Sequence, residues 1–139
     1  MADDRIHLQV MTAGGVKYDK QARYVGIPLS GGSIGVLANH APLMAAVEDG
    51  AVKCEYGDGQ TEYVYVGTGV ASVKDNEVCL LVRAAECAEN IDLARAQAAA
   101  KRAEERIQSH AAEVDMLRAE ASLHRALARE KTYGLFRNE

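Results

Sequence analysis

The chain has 139 residues with 16 basic and 20 acidic side chains, which gives a formal net charge of −4 at neutral pH. This length allows one ordinary domain, or a small domain with an appendage. Hydrophobic residues make up 48% and charged residues 26%, a balance that predicts a folded globular protein and excludes wholesale disorder. The acidic excess argues against a nucleic-acid binder, and no stretch approaches the roughly 20 apolar residues that span a bilayer.

Two further features of the sequence bear on the compartment. The acidic start, Met-Ala-Asp-Asp-Arg, has no apolar segment, so we do not expect a secretory signal. The three cysteines, Cys54, Cys79 and Cys87, are odd in number and lack CxxC spacing, which predicts a reducing cytosol without a zinc site or a disulfide framework.

Composition changes abruptly near residue 86. Eleven of the 12 glycines lie at or before Gly69, and residues 1–86 hold 18 Val, Ile and Thr against four in residues 87–139. Alanine dominates the later part. Because β-branched residues with glycine turns favour sheet and alanine favours helix, we predict a β module over 1–86 and a helical module over 87–139.

The β module is predicted to be a sandwich or barrel of short antiparallel strands. The first strand, 6–10, alternates apolar with polar residues and ends before a Gly14-Gly15 turn. The alternating runs 52–56 and 61–65 flank Asp58-Gly59, which is a strong hairpin signal.

A second hairpin is predicted from Val70 to Val82, around a turn at Asp75-Asn76. The core of the module is expected to be aliphatic, with the tyrosines at its margins. Cys54 and Cys79 are expected to fill apolar positions, the commoner fate of free cysteines in a sheet.

The helical module is predicted as a two-helix hairpin between about Asn90 and Tyr133, a stretch without glycine or proline. Asn90 or Asp92 is suited to cap its start. We expect an interruption at 109–112 and a frayed tail over 134–139. Close approach of the helices is predicted from small residues on the first helix and an apolar stripe on the second, namely Ala96, Ala99, Ala100 and Ala103 against Met116, Ala119, Leu123 and Leu127.

His40 is the side chain of the β module most suited to acid–base chemistry, since histidine titrates near neutral pH. No GxSxG motif accompanies it, so we interpret it as a loop residue that packs or binds a partner. The glycines at 31–35 and 67–69 are interpreted as turns, because no phosphate-loop Lys-Ser/Thr follows either group. We predict no catalytic and no metal-binding residue.

Arginines recur at helical intervals, which places several of them on shared faces. If the two helices close with these faces together, the guanidinium groups converge in a way that suits a polyphosphate. The alternative is a solvated face with glutamate partners, and periodicity alone favours it. The arginines are Arg95, Arg102 and Arg106 on the first helix and Arg118, Arg125 and Arg129 on the second.

One segment of the β module carries a specific resemblance. The sequence G-S-I-G-V-L-A-N-H-A-P-L at 32–43 resembles the G-x-[LI]-G-[VI]-L-x-x-H-A-P-L segment of the epsilon subunit of bacterial F-type ATP synthases. The likeness extends over essentially the whole chain. It implies that Ser33 and His40 lie at the contact with the c-ring and the gamma subunit, although an acidic residue is common in the family where this chain has Ser33.

The resemblance implies a non-catalytic subunit of the central stalk. The sandwich would join gamma and rest on the c-ring, peripheral to the cytoplasmic face of the cell membrane, and help to couple ion-driven rotation to ATP synthesis. The hairpin would permit hydrolysis when it is folded on the sandwich. It would inhibit hydrolysis when it extends along gamma into the alpha/beta catalytic head.

A second motif, Ile91-Asp92-Leu93-Ala94-Arg95-Ala96, matches the I/L-D-x-x-R-A pattern by which many bacterial epsilon subunits bind ATP. The resemblance thus implies ATP as a regulatory ligand, with no required cofactor. The acidic and apolar residues would lie near the adenosine and the arginines near the phosphates. The implied site is Glu86, Ile91, Asp92, Arg95, Ala96, Arg102, Arg125 and Arg129.

Two other functions stay open on the sequence. The chain is alternatively a free-standing nucleotide-sensing module outside any rotary motor, and binding to gamma separates the two. The third hypothesis is a small hydrolase centred on His40, which predicts turnover that is lost in His40→Ala.

Overall fold

The computed structural model describes residues 4–109 and 113–138. Strands fill the first part of the chain, and a short 3₁₀ helix at Ala88–Asn90 leads into two α-helices. The strands are β1 (Ile6–Thr12), β2 (Gly15–Ala22), β3 (Tyr24–Leu29), β4 (Gly32–Val36), β5 (Leu43–Val47), β6 (Gly50–Glu55), β7 (Thr61–Val66), β8 (Gly69–Lys74), β9 (Glu77–Val82) and β10 (Ala85–Cys87), and the helices are α1 (Leu93–Gln108) and α2 (Glu113–Arg137).

The strands form a continuous sheet in the order β10-β7-β6-β3-β5-β8-β9-β1-β2, with β4 paired to β3. Because β10 also contacts β1 and β2, the sheet returns on itself around one core. The predicted sandwich followed by a helical hairpin is confirmed. One strand pair departs from the antiparallel pattern, because β1 and β9 are parallel and lie far apart in the chain.

Both predicted hairpins form. β6 pairs with β7 from Glu55↔Thr61, and β8 pairs with β9 from Lys74↔Glu77. Asp75 and Asn76 have φ of 52° and 61°, so two left-handed residues make the tight turn that matches strand twist.

The core is mostly aliphatic, as predicted, but two tyrosines are not at its margins. Tyr18 is 5% exposed and belongs to the core, and Tyr65 is 0% exposed. Val64 and Val66 point into the core of the sandwich. Because successive side chains of a strand point to opposite faces, Tyr65 lies on the other face of the sheet, which α2 covers. Cys54 fills an apolar core position, whereas Cys79 is only half-buried.

The two helices begin and end near the predicted positions. Asp92 caps α1, because its carboxylate accepts a hydrogen bond from the Arg95 amide at 3.1 Å. α1 ends at Gln108, and Ser109 follows it with its hydroxyl donating to the Arg106 carbonyl. The predicted interruption covers residues 109–112, and residues 110–112 lie outside the described part of the chain.

Alanines make the helix–helix contact. Ala96, Ala100 and Ala103 of α1 are buried, as are Ala119 and Ala126 of α2. The predicted apolar stripe of α2 is wrong at Leu127, which is 44% exposed. The buried alanines Ala119 and Ala126 are seven residues apart and therefore share one face of the helix, and Leu127 lies outside that face. Met116 and Leu123 are half-buried.

The C-terminal segment differs from the expected frayed tail. α2 continues through Gly134 to Arg137, and the rings of Tyr133 and Phe136 lie 6.1 Å apart on its last turns. β10 ends at Cys87, one residue beyond the boundary that we placed at residue 86.

α2 is the layer that joins the two modules. It packs against β6, β7 and the 3₁₀ helix on one side and against α1 on the other. Any site that combines residues of the sandwich with residues of α1 therefore depends on α2 lying on the sheet.

Candidate functional site

A cleft of about 350 Å³ opens where α1, α2 and β10 meet. Its size falls in the range of small-molecule sites, which is about 300–1,000 Å³. Its walls combine three guanidinium groups with two carboxylates and small apolar side chains. The lining residues are Glu86, Ile91, Asp92, Arg95, Ala96, Ala99, Arg102, Ala126 and Arg129.

A second compartment of about 240 Å³ continues the cleft along the helix pair. It shares Arg102 and Arg129 with the first compartment and adds Arg106 and Arg125. None of the described residues that line it is acidic. Such a concentration of guanidinium groups is suited to phosphate, which arginine binds through paired N–H donors.

The acidic residues lie at the other end of the cleft. Glu86 is supplied by β10, and its Oε1 lies 3.6 Å from Nε of Arg129. Asp92 lines the same compartment while it caps α1. The cleft is therefore polarised, with carboxylate acceptors beside Ile91 and guanidinium donors along the helices.

Two of the arginines have further contacts that orient them. Nη2 of Arg125 donates to the Ser122 hydroxyl at 3.1 Å, one turn away on α2. Arg129 lies over the ring of Tyr65, with 4.4 Å between Cζ and the ring centroid. Burial raises the pKa of the Tyr65 phenol, which keeps it neutral beneath the cleft.

The structure brings all eight residues of the implied ATP site to this cleft. Seven line the first compartment, and Arg125 lines the second together with Arg102 and Arg129. Arg106, which has the right helical spacing, also joins it, whereas Arg118 is exposed and lines neither compartment. Sequence reasoning missed Ser122, whose only signal is its position three residues before Arg125.

Ser33 and His40 lie apart from this cleft and from each other. Ser33 borders a groove of about 550 Å³ between the sandwich and the second half of α2. His40 lies in a separate depression beside the β8–β9 turn, where the Asn39 amide donates to the Asn76 side chain at 2.6 Å. The contacts predicted for Ser33 and His40, with the c-ring and gamma, thus involve outward-facing surfaces apart from the cleft.

Three ligand-type side chains meet in the groove that Ser33 borders. Nδ1 of His124 on α2 lies 3.2 Å from Oδ2 of Asp49 and 4.0 Å from Oε1 of Glu48, both in the β5–β6 connection. The ligand atoms of all three lie within 4.8 Å of one another, so they have the donor types of a divalent-cation site. We interpret them as a polar contact that joins α2 to the sandwich, because Nδ1 of His124 lies 3.2 Å from Asp49.

The cysteines have no nucleophilic setting. Burial raises the pKa of Cys54 to about 12 and also raises the pKa of Cys79 and Cys87. A thiol becomes reactive when its pKa is lowered, so these three remain protonated near neutral pH.

The outer face of the sandwich carries exposed apolar residues on adjacent strands. Met44, Val70 and Leu81 are 74%, 47% and 58% exposed. Val70 lies opposite Leu81 and Ala46, and Leu81 lies opposite Met11, so the row crosses β5, β8, β9 and β1. We call Met11, Ala46, Val70 and Leu81, with the neighbouring Met44, the apolar strip; such a contiguous surface is typical of an interface.

Two family models match consecutive parts of the chain. Residues 5–88 match the model described as "ATP synthase, Delta/Epsilon chain, beta-sandwich domain", and residues 89–134 match "ATP synthase, Delta/Epsilon chain, long alpha-helix domain". The chain therefore belongs to the ATP synthase delta/epsilon chain family. The resemblance to the bacterial epsilon subunit, read from the 32–43 segment, is confirmed.

Relatives and solved structures extend this assignment. The chain is 40% identical to the ATP synthase epsilon chain of Nitratidesulfovibrio vulgaris (strain DP4), covering 93% of this chain and 96% of that one. It is 39% identical to the epsilon chain of Bacillus licheniformis, covering 89% and 94%. A chain in the Euglena gracilis mitochondrial ATP synthase (OSCP/F1/c-ring) has the same fold, with a TM-score of 0.81 at 23% identity over 91% of this chain and 80% of that one.

The chain is thus a subunit of an F-type ATP synthase. Within residues 4–109 and 113–138, no helix is both long and apolar enough to cross a membrane.

The polar contact between His124 and Asp49 is expected to stabilise the packing of α2 on the sandwich. A double-mutant cycle of Asp49→Asn and His124→Ala should give a coupling free energy of about 0.5–1 kcal/mol by urea unfolding, because the His124 end is exposed to solvent. Glu48→Gln with His124→Ala is the matched control and should couple less, given its longer distance. Equal coupling in the two cycles would contradict the interpretation.

Proposed function

We propose that the chain is a non-catalytic rotor subunit that helps to couple ion-driven rotation to ATP synthesis and that restrains ATP hydrolysis through its two helices. Its membership of the delta/epsilon family supports the first part. The same membership supports a role without its own active site, so we do not favour the hydrolase hypothesis.

The observation that carries the regulatory part is the polarised cleft, which exists only because both modules contribute to it. Glu86 comes from the sandwich, whereas the arginines come from α1 and α2. We expect ATP to bind here, with its adenosine near Glu86, Ile91 and Asp92 and its phosphates along the guanidinium groups.

A ligand of this cleft favours the folded-down hairpin. A ligand shifts an equilibrium only by its differential affinity for the two states. When the helices leave the sandwich, Glu86 separates from Arg129, whereas Asp92 stays at the start of α1, so the cleft loses the Glu86 carboxylate and ATP loses its contact with it. ATP binding therefore opposes extension of the hairpin towards the alpha/beta head.

The apolar strip is the surface that we assign to the gamma subunit. It lies on strands β5, β8, β9 and β1, whereas α2 covers β6 and β7, so the strip stays accessible when the hairpin is folded down. Ser33 and His40, which lie outside the strip, remain the assigned contacts to the c-ring and gamma. This arrangement gives a subunit that is peripheral to the cytoplasmic face of the membrane.

ATP binding is tested by calorimetry on the full chain with Arg125→Ala. Loss of one charge-assisted phosphate contact costs about 1.5–3 kcal/mol, so the dissociation constant should rise about ten- to a hundredfold. Arg118→Ala is the control, because that arginine lies outside both compartments, and it should bind as the unmodified chain does. Equal affinities of the Arg125→Ala and Arg118→Ala variants would remove the assigned site.

Attachment to gamma is tested by Leu81→Asp. A carboxylate in the middle of the apolar strip would be buried without a partner in the complex, so affinity for purified gamma should fall at least about tenfold. Leu117→Asp is the matched control, because Leu117 is 63% exposed on α2, away from the strip. If even the unmodified chain does not bind gamma, the free-standing nucleotide sensor becomes the better hypothesis.

Restraint of hydrolysis is tested with the reconstituted catalytic head. The core cluster lies within residues 6–82, so a chain truncated after Cys87 keeps it. We expect ATP hydrolysis by the head to be about fivefold or more slower with the full chain than with the truncated chain, a typical allosteric coupling. The same rate with both chains would contradict an inhibitory role of the helices.

A further inference from the structure

Tyr65 is a fully buried side chain of the sandwich that the core does not use. It lies in β7 between Val64 and Val66, which point into the core, so its ring points to the face that α2 covers. In the strand ladder Tyr65 lies opposite Ala51 on one side and Glu86 on the other. Its ring therefore lies beside the acidic end of the polarised cleft.

The guanidinium of Arg129 is held by the sandwich from two directions. Its Cζ lies 4.4 Å from the centroid of the Tyr65 ring, and its Nε lies 3.6 Å from the Glu86 carboxylate. A planar guanidinium stacks on an aromatic face and is attracted by the ring quadrupole, more strongly where water is excluded. The Tyr65 ring is 0% exposed, and the Arg129 side chain is 33% exposed.

The phenol hydroxyl contributes nothing visible to this contact. Among the residues that the structure describes, the hydroxyl of Tyr65 has no hydrogen-bond partner, although it is buried. The feature of the residue that acts on its surroundings is the aromatic face beneath Arg129.

We propose that Tyr65 is a positioning residue of the nucleotide cleft, whose ring fixes the guanidinium of Arg129 so that phosphate meets a cation already in place. The inference rests on the proposed nucleotide function. It also adds a coupling element, because Tyr65 belongs to the sandwich and Arg129 to α2, and the contact exists only while the hairpin is folded down. Release of α2 would expose the ring and free the guanidinium together.

The experiment measures ATP affinity of the full chain by calorimetry for two variants. Tyr65→Phe keeps the aromatic face and removes only the unpartnered hydroxyl, so its dissociation constant should stay within about twofold of the unmodified chain. Tyr65→Met replaces the ring with a smaller, flexible side chain and should weaken binding about five- to thirtyfold.

A double-mutant cycle separates positioning from folding. In an Arg129→Ala background, Tyr65→Met should cause no further loss of affinity, whereas a general disturbance of the fold would weaken binding in both backgrounds. The thermal midpoint of the ligand-free chain is recorded alongside. Tyr65→Leu, which also lacks a ring, keeps the inference testable if Tyr65→Met does not fold, because it should weaken ATP binding in the unmodified background and cause no further loss in the Arg129→Ala background.

The outcomes that overturn the inference are distinct from failure of the nucleotide function. If the unmodified chain binds no ATP, the proposed nucleotide site and this inference both fall. If the unmodified chain binds ATP and Tyr65→Met binds equally well, only the inference falls. An equal loss in Tyr65→Phe and Tyr65→Met would also overturn it, because the hydroxyl and not the ring would then be required.

Discussion

The contact of α2 with the sheet face of β6 and β7 is the interaction on which the rest of the molecule depends. α1 packs on α2 through buried alanines. The arginines of α1 therefore come near Glu86 in the cleft only because α2 lies on the sandwich. The same contact brings Glu86 to Arg129 and His124 to Asp49. Two of the residues buried in or beside it are Tyr65 of β7 and Thr132 of α2, each 0% exposed.

The composition of this interface explains why polar groups matter in it. Thr132 is fully buried in α2 and satisfies its hydroxyl within the helix by donating to the Ala128 carbonyl. Between the modules, polar and aromatic contacts join His124 to Asp49 and Arg129 to Glu86 and Tyr65. His124 is 55% exposed and Glu86 is 39% exposed, so solvent reaches both polar contacts. A ligand that binds across this boundary, as proposed for ATP, would add to the free energy that holds α2 on the sheet.

Much of the fold could be predicted from the sequence because its signals are local. The alternation of 52–56 and 61–65 and the turn at Asp75-Asn76 specify hairpins whose partners are adjacent in the chain. The parallel pairing of β1 with β9 has no such signal, since it joins residues about 70 positions apart. The exposure of Leu127 has no local signal either, because α2 faces both α1 and the sheet. The buried alanines Ala119 and Ala126, seven residues apart, mark the contact face of the helix, and Leu127 lies outside it.

The residues of the cleft could be predicted from the motif and from the arginine spacing, whereas the position of Tyr65 beside them could not. Residues on one helix face are related by a fixed interval, which the sequence displays. Tyr65 and Arg129 meet only through tertiary packing, and an aromatic residue in a strand more often packs in the core. The burial of Tyr65 beneath α2 can be recognised only from the position of that helix on the sheet.

The parallel pairing of β1 with β9 also fixes the order in which the chain matures during synthesis. The first strand emerges from the ribosome long before the strand beside which it will finally lie, so β1 and β2 must wait as an isolated hairpin, which is marginal in water. The barrel closes only after β9 and β10 have been made, and the helices follow later still. The sandwich is thus complete before α1 and α2 are made and pack against it.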